Sequence, residues 1–298
     1  MSNDIDKALD KIDEEFDKLS KRNKKQLEAA VIKPIHDRFP LAQNGIAALI
    51  ASMGKGKSYS YLKLAAKQEA LNTEPFFELI AICSTSSKFD KTVNTFKEAI
   101  KKSKVVAVKD SDLLEWLTQY IQRMKLYNII MEFVMNGMKN PSDEMQAIIK
   151  EHRLKNQEKL IKYISQTLTE LGWRTYPHRC LLILDDFASH PLLRSKESEL
   201  SRLLKKLRHF NINVIICVQT TKSIPKDIKR TLSDVILFTG ISEEDYTTLM
   251  KELNVGWLDT KKLWQTYKSI TDDHATLSIH IAAKKVVLQG IDHIVKEK

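Results

Sequence analysis

Apolar residues along this chain follow two rhythms. Short, nearly continuous runs alternate with longer stretches in which apolar positions recur at spacings of three and four. The runs are residues 45–51 (GIAALIA), Phe77–Cys83, residues 180–184 (CLLIL), Val214–Val218 and Val235–Phe238. Each is too short for a helix, and most end in small or polar residues, so they predict buried strands. The stretches between them predict helices: one running to about Leu71, one carrying Val93, Phe96 and Ile100, then Glu197–Phe210, Lys226–Thr231 and Glu243–Leu253. Strand followed by helix, repeated, is the signature of a parallel sheet. Alternation over Thr276–Ile281 and Lys285–Gln289 predicts two closing strands.

Two stretches depart from this rhythm. In residues 1–30, Ile5, Leu9, Ile12, Phe16 and Leu19 recur at helical spacing, with acids early and Lys21–Lys25 late. This predicts a charged helical arm, either packed on a neighbour or solvated. From Ser111 to about Gly172, long helical segments carry Leu113, Leu114, Leu117, Ile121, Met124 and Tyr127 on one face, broken near residues 136–141. The expected division is an N-terminal arm (1–40), the first part of a core (41–109), a helical insertion (110–178), and the second part of the core with its closing strands (179–298).

Composition adds limits rather than an answer. A chain of 298 residues with 43% hydrophobic and 29% charged residues can bury a full core without disulfides or metals. Cys83, Cys180 and Cys217 lie in or beside apolar runs at no metal or redox spacing, so they are read as buried thiols in a reducing compartment. No apolar run approaches the roughly 18 residues of a membrane span, and residues 1–17 lack a signal peptide's apolar region. The expected location is cytoplasmic, without membrane attachment. A net charge of +10 permits binding to polyanions without requiring it.

The first run leads into A-S-M-G-K-G-K-S, Ala51–Ser58, which fits the phosphate-loop spacing G-x-x-x-x-G-K-S except for Ala at the first position. Gly54 and Gly56 let successive backbone N–H groups turn toward phosphate oxygens, and the helix that follows offers its positive end to the same anion. The candidate nucleotide-binding residues are Ala51, Ser52, Met53, Gly54, Lys55, Gly56, Lys57, Ser58 and Tyr59. Lys57 would reach the β and γ phosphates and the Ser58 hydroxyl a Mg²⁺ ion. Ala51 is tolerable if its φ stays negative.

The run Leu181–Leu184 ends in Asp185-Asp186. A carboxylate at the end of a buried strand can face that cation, which makes Asp185 the metal-side candidate beside Ser58. Asp186 stands where a carboxylate orients or deprotonates the attacking water. Val214–Val218 ends in Gln219, whose amide reaches the same sheet edge if the two strands are neighbours.

The order of these motifs, completed by Arg208–Phe238 (RHFNINVIICVQTTKSIPKDIKRTLSDVILF), resembles the viral genome-packaging ATPases of the FtsK/HerA superfamily, closest to the poxvirus-like and virophage branch. The resemblance covers roughly residues 44–254, leaving out the insertion and both flanks. It implies a RecA-like P-loop fold with a mostly parallel central sheet, a helical insertion and C-terminal closing strands. It also implies a homo-oligomeric ring that uses ATP and Mg²⁺ to drive double-stranded DNA into a capsid, with a capsid or portal protein as a further partner and association with the virion. Lys57, Asp186 and Gln219 would be catalytic, and Arg208 or Arg230 would supply an arginine to a neighbouring subunit's site. Asp186 stands where many members carry Glu.

Two other readings compete. A P-loop kinase would need an arginine-bearing lid, and the insertion offers only Arg123 and Arg153 with Gln219 left idle; a nucleotide-gated assembly or DNA-binding protein would not turn ATP over. DNA contacts would be to the backbone without sequence preference, with Lys97, Lys101, Lys102 and Lys104, or Lys205 and Lys206, as candidate clusters.

Overall fold

The computed structural model describes residues 42–70, 75–85, 89–187, 190–194, 199–270, 275–289 and 296–297. The predicted N-terminal arm lies outside these residues. The described chain forms two compact units, residues 120–178 and the remainder.

The larger unit is built on a nine-stranded sheet in the order β3-β2-β4-β5-β1-β6-β7-β8-β9. Its strands are β1 (Ile46–Ile50), β2 (Leu79–Ser84), β3 (Lys104–Val108), β4 (Cys180–Asp185), β5 (Ile212–Val218), β6 (Asp234–Phe238), β7 (Thr276–His280), β8 (Lys285–Gln289) and β9 (Lys296–Glu297). The pairings from β3 through β6 are parallel, and β7, β8 and β9 close the sheet antiparallel. Every residue of β1, β2, β4, β5 and β6 is buried, which explains why these strands read as near-continuous apolar runs.

Helices α1 (Lys57–Ala70) and α2 (Phe89–Ala99) follow β1 and β2. Tyr61, Leu64 and Ala65 of α1 and Val93 and Phe96 of α2 pack with alternate strand residues: Ala47 and Leu49, Ile80 and Ile82, Leu181 and Ile183, Ile215 and Cys217. Side chains alternate faces along a strand, so this list fixes which face α1 covers. Asp185 continues the Leu181, Ile183 series and faces α1. Helices α6 (Glu243–Glu252) and α7 (Thr260–Lys268), numbered after those of the helical unit below, complete this unit.

In the helical unit, α3 (Leu113–Met135, its first residues belonging to the sheet unit) is followed by α4 (Asp143–Glu151) and α5 (Gln157–Leu171). Ser142 caps α4 by accepting from Met145 N, and acidic Asp143 and Glu144 suit its positive end. Asn156 caps α5, and Gly172, with φ 65°, ends it in the left-handed conformation that Gly tolerates. Ile130, Phe133, Met145 and Ile164 form the core of this unit. Trp173 stacks on His178 at 3.9 Å beside Tyr120 and Tyr127.

The structure differs from expectation in three places. The edge strand β3 falls in K-V-V-A-V, where no element is predicted, because only Val108 is buried and the run is short. Helix α7 is likewise unanticipated. The helix expected over Glu197–Phe210 is observed as Glu199–Leu204 and then a separate 3-10 turn, Leu207–Phe210.

Candidate functional site

Strand β1 ends at Ile50 and α1 begins at Lys57, so the loop between them leaves the C-terminal edge of the parallel sheet. Ligands of parallel α/β sheets sit at that edge. Gly54 and Gly56 have φ 81° and 88°, conformations that a side chain would strain, and both are needed for the loop to curl back on itself. Ala51 is fully buried, donates its N–H to Val218 O at 3.1 Å, and is not among the residues of positive φ. The first turn therefore makes no demand that only Gly could meet. Lys57 folds across the loop, donating from Nζ to Ala51 O and to Ser52 O at 3.1 Å. Burial lowers its pKa, opposed by nearby Cys217, Asp185 and Asp186. Ser52, Met53 and Gly54 are exposed at the tip, Lys55 is half-buried, and Tyr59 is exposed on the first turn of α1.

Strand β5 lies between β1 and β4, paired with both. Asp185, Gln219 and the loop therefore leave neighbouring strands at one edge. Ser58 Oγ reaches Asp185 Oδ2 at 3.4 Å, and the buried Tyr61 hydroxyl donates to the same oxygen at 2.7 Å. Burial raises the Asp185 pKa, while the Tyr61 hydrogen bond lowers it and the Asp186 charge raises it.

Strand alternation alone would send Asp186 to the face opposite Asp185. Its backbone turns left-handed instead, with φ 58°. Asp tolerates that region better than most residues. The turn is held by Thr85 Oγ1, which donates to Asp186 O at 2.8 Å, and the carboxylate accepts from Gln219 Nε2 at 2.9 Å on Oδ1.

The structure thus brings together the loop, Lys57, Ser58, Asp185, Asp186 and Gln219. It does not bring the two arginines to them. Arg208 lies on the 3-10 turn entering β5 and Arg230 follows the short helix Lys226–Lys229 ahead of β6, so both sit at the N-terminal edge of the sheet. Arg230 is exposed. Tyr61 and Thr85 were missed by sequence reasoning. The signal for Tyr61 was its spacing: three residues after Ser58 on a helix, it shares the face that carries Ser58. Thr85 lies in the stretch S-T-S-S, residues 84–87, which follows an apolar run and by itself marks only a turn.

Among the described residues, no cluster of three or more His, Cys, Asp or Glu side chains could hold a metal by itself. A cation that arrives with phosphate oxygens, as Mg²⁺ does, needs only one or two carboxylates from the protein. The donor set fits that need: the Ser58 hydroxyl and the Asp185 carboxylate, whose Oδ2 alone is engaged among the described residues.

The Poxvirus A32 protein family matches residues 141–295, just over half of the chain. The chain belongs to that family. The matched part carries Asp185, Asp186, Gln219 and both arginines; it begins after the phosphate loop, and it takes in the end of the helical unit and the closing strands, which the sequence resemblance left out. No curated protein matches the sequence. Among solved structures, the chain is similar to the genome packaging NTPase B204 from Sulfolobus turreted icosahedral virus 2 in complex with ATP-gammaS, at 13% identity and TM-score 0.49, covering 84% of this chain and 100% of that one. The DNA-packaging ATPase B204 from Sulfolobus Turreted Icosahedral Virus gives 14% identity and TM-score 0.48, covering 85% and 100%. The cytoplasmic domain of the Thermomonospora curvata Type VII secretion ATPase EccC gives 10% and 0.44, covering 83% and 25%. Likeness at this level carries no part of the assignment, which rests on the family match.

Proposed function

We propose that this A32-family chain is an ATP-hydrolysing motor that moves double-stranded DNA into a viral capsid. The observation that carries the reading is the convergence at one sheet edge of the glycine loop, Asp185 and the Asp186–Gln219 pair. Loop N–H groups and Lys57 hold the phosphates of ATP. Ser58 and Asp185 would hold Mg²⁺, which would supply positive charge against the phosphates. Asp186 aligns the attacking water and accepts its proton, and Gln219 keeps that carboxylate in place beside the γ-phosphate.

Arg208 and Arg230 lie at the far edge from their own loop, so either serves only the site of a neighbouring copy, which favours a homo-oligomeric ring. DNA is held through its phosphates. The candidate contacts are Lys97, Lys101, Lys102 and Lys104, exposed where α2 passes into β3, and the pair Lys205 and Lys206, of which Lys205 is engaged by Asp227 at 2.5 Å. No helix among the described residues is long and apolar enough to cross a membrane. On the motor reading the chain works in the cytoplasm of an infected cell, in association with capsid or portal.

The test is the ATPase rate of the full chain with and without double-stranded DNA. DNA should stimulate turnover, and Asp186→Asn should abolish it while nucleotide still binds. A wild-type chain that hydrolyses nothing in the presence of DNA would refute the motor.

A further inference from the structure

Two hydroxyls from one helix converge on a single carboxylate oxygen. Tyr61 donates to Asp185 Oδ2 at 2.7 Å and Ser58 reaches the same oxygen at 3.4 Å. Among the described residues, no donor reaches Oδ1. We propose that Tyr61 is a positioning residue for the metal-side carboxylate, holding Oδ2 so that Oδ1 is the oxygen presented to the nucleotide-bound cation or to its water. The proposal rests on the assignment of Asp185 to the metal side of the site.

A buried aromatic ring at position 61 needs no hydroxyl to pack. The ring is fully buried and stacks on Phe96 with centroids 5.5 Å apart, a contact that Phe would make equally well. A hydroxyl buried there costs free energy unless it finds an acceptor. The acceptor it finds is neither a backbone carbonyl nor a distant side chain, but the carboxylate that faces the phosphate loop.

The terminal torsion of an aspartate is broad and nearly two-fold, so an Asp held by one long contact can exchange its two oxygens. The short bond from Tyr61 removes that freedom. Ser58 cannot do this alone, because its hydroxyl sits at 3.4 Å and must also offer its lone pairs to the cation. Tyr61 donates the shorter bond to Oδ2 and its oxygen also meets the Ser58 hydroxyl, so the two side chains of one helix turn are set together against the carboxylate. Its ring is set by Phe96 on α2, so the carboxylate is aligned before ligand arrives.

The experiment compares the full-length wild type with Tyr61→Phe and Asp185→Asn. Affinity for a fluorescent ATP analogue is measured in EDTA, and Mn²⁺ affinity is measured by electron paramagnetic resonance in the presence of a non-hydrolysable ATP analogue. Tyr61→Phe should leave metal-free nucleotide binding within about twofold and weaken Mn²⁺ by about tenfold, the loss typical when a hydrogen-bond partner of a metal ligand is removed. Both affinities are taken within one variant, so a smaller folded fraction lowers the amplitude without moving either midpoint. If Asp185→Asn weakens Mn²⁺ and Tyr61→Phe does not, Tyr61 is only a satisfied core hydroxyl and the proposal falls while the site assignment stands. If Asp185→Asn leaves Mn²⁺ binding unchanged, the carboxylate is not on the metal side and both fall together.

Discussion

Gln219 donates from Nε2 to Asp186 Oδ1 at 2.9 Å, joining the ends of two neighbouring parallel strands. One carboxylate oxygen is thereby engaged and the carboxylate plane is set, which is what an acceptor for a positioned water requires. Gln219→Ala should lower kcat by about a hundredfold with little change in KM, the cost of losing one preorganised donor at a reacting centre. Gln219→Glu places a like charge against Asp186 and should do no better. Steady-state ATPase assays check both, and a Gln219→Ala enzyme with wild-type kcat would remove Gln219 from the chemistry.

Ala51 stands where the phosphate-loop pattern has Gly, yet it is fully buried, bonded to Val218 and outside the positive-φ region. Ala51→Gly should therefore leave nucleotide affinity within about twofold while costing about 0.5–1 kcal/mol of stability through added chain entropy. Equilibrium titration and thermal melts report the two effects separately. A large gain in affinity would mean that the loop seeks a backbone conformation at this position that Ala resists.

Glu69, near the end of α1, is held by the turn that leads into β3. Its Oε1 accepts from Lys101 N at 2.7 Å and Lys102 N at 2.5 Å, and its Oε2 accepts from Ser103 Oγ at 3.2 Å. Successive N–H groups curved around an anion form a nest, here filled by the chain's own carboxylate. Hydrogen bonds to a charged group contribute about 1.5–3 kcal/mol, so Glu69→Ala should lower Tm by several degrees, on the order of 4–8 °C. The same melt on Glu69→Gln should show a smaller drop, and equal melting of all three proteins would refute the nest as a fastening.

Much of this was legible in the order of residues alone. Strands β1, β2, β4, β5 and β6 announced themselves because both faces of each are covered, which leaves polar residues only at or next to the strand ends. The edge strand β3 did not, since its exposed Lys104 and half-exposed valines look like any amphipathic passage. The candidate site followed the same division. Lys57, Ser58 and Asp185 could be proposed because the chemistry of phosphate and cation restricts residue type and spacing. Thr85 could not, because a hydroxyl after a strand has too many ordinary uses.

Sequence by itself determined the parallel sheet, the glycine loop at the end of one strand and the carboxylates at the end of another. These are local consequences of burial and of backbone conformations that few residues accept. Only the tertiary structure decided that β5 inserts between β1 and β4, that Asp186 turns left-handed to meet Gln219, and that Tyr61 shares an oxygen with Ser58. It also decided that both arginines leave the far edge of the sheet from their own phosphate loop. Strand order and side-chain convergence depend on contacts between residues far apart in the chain, 33 positions for Asp186 and Gln219 and 124 for Tyr61 and Asp185, and no local pattern of apolar and polar residues encodes them.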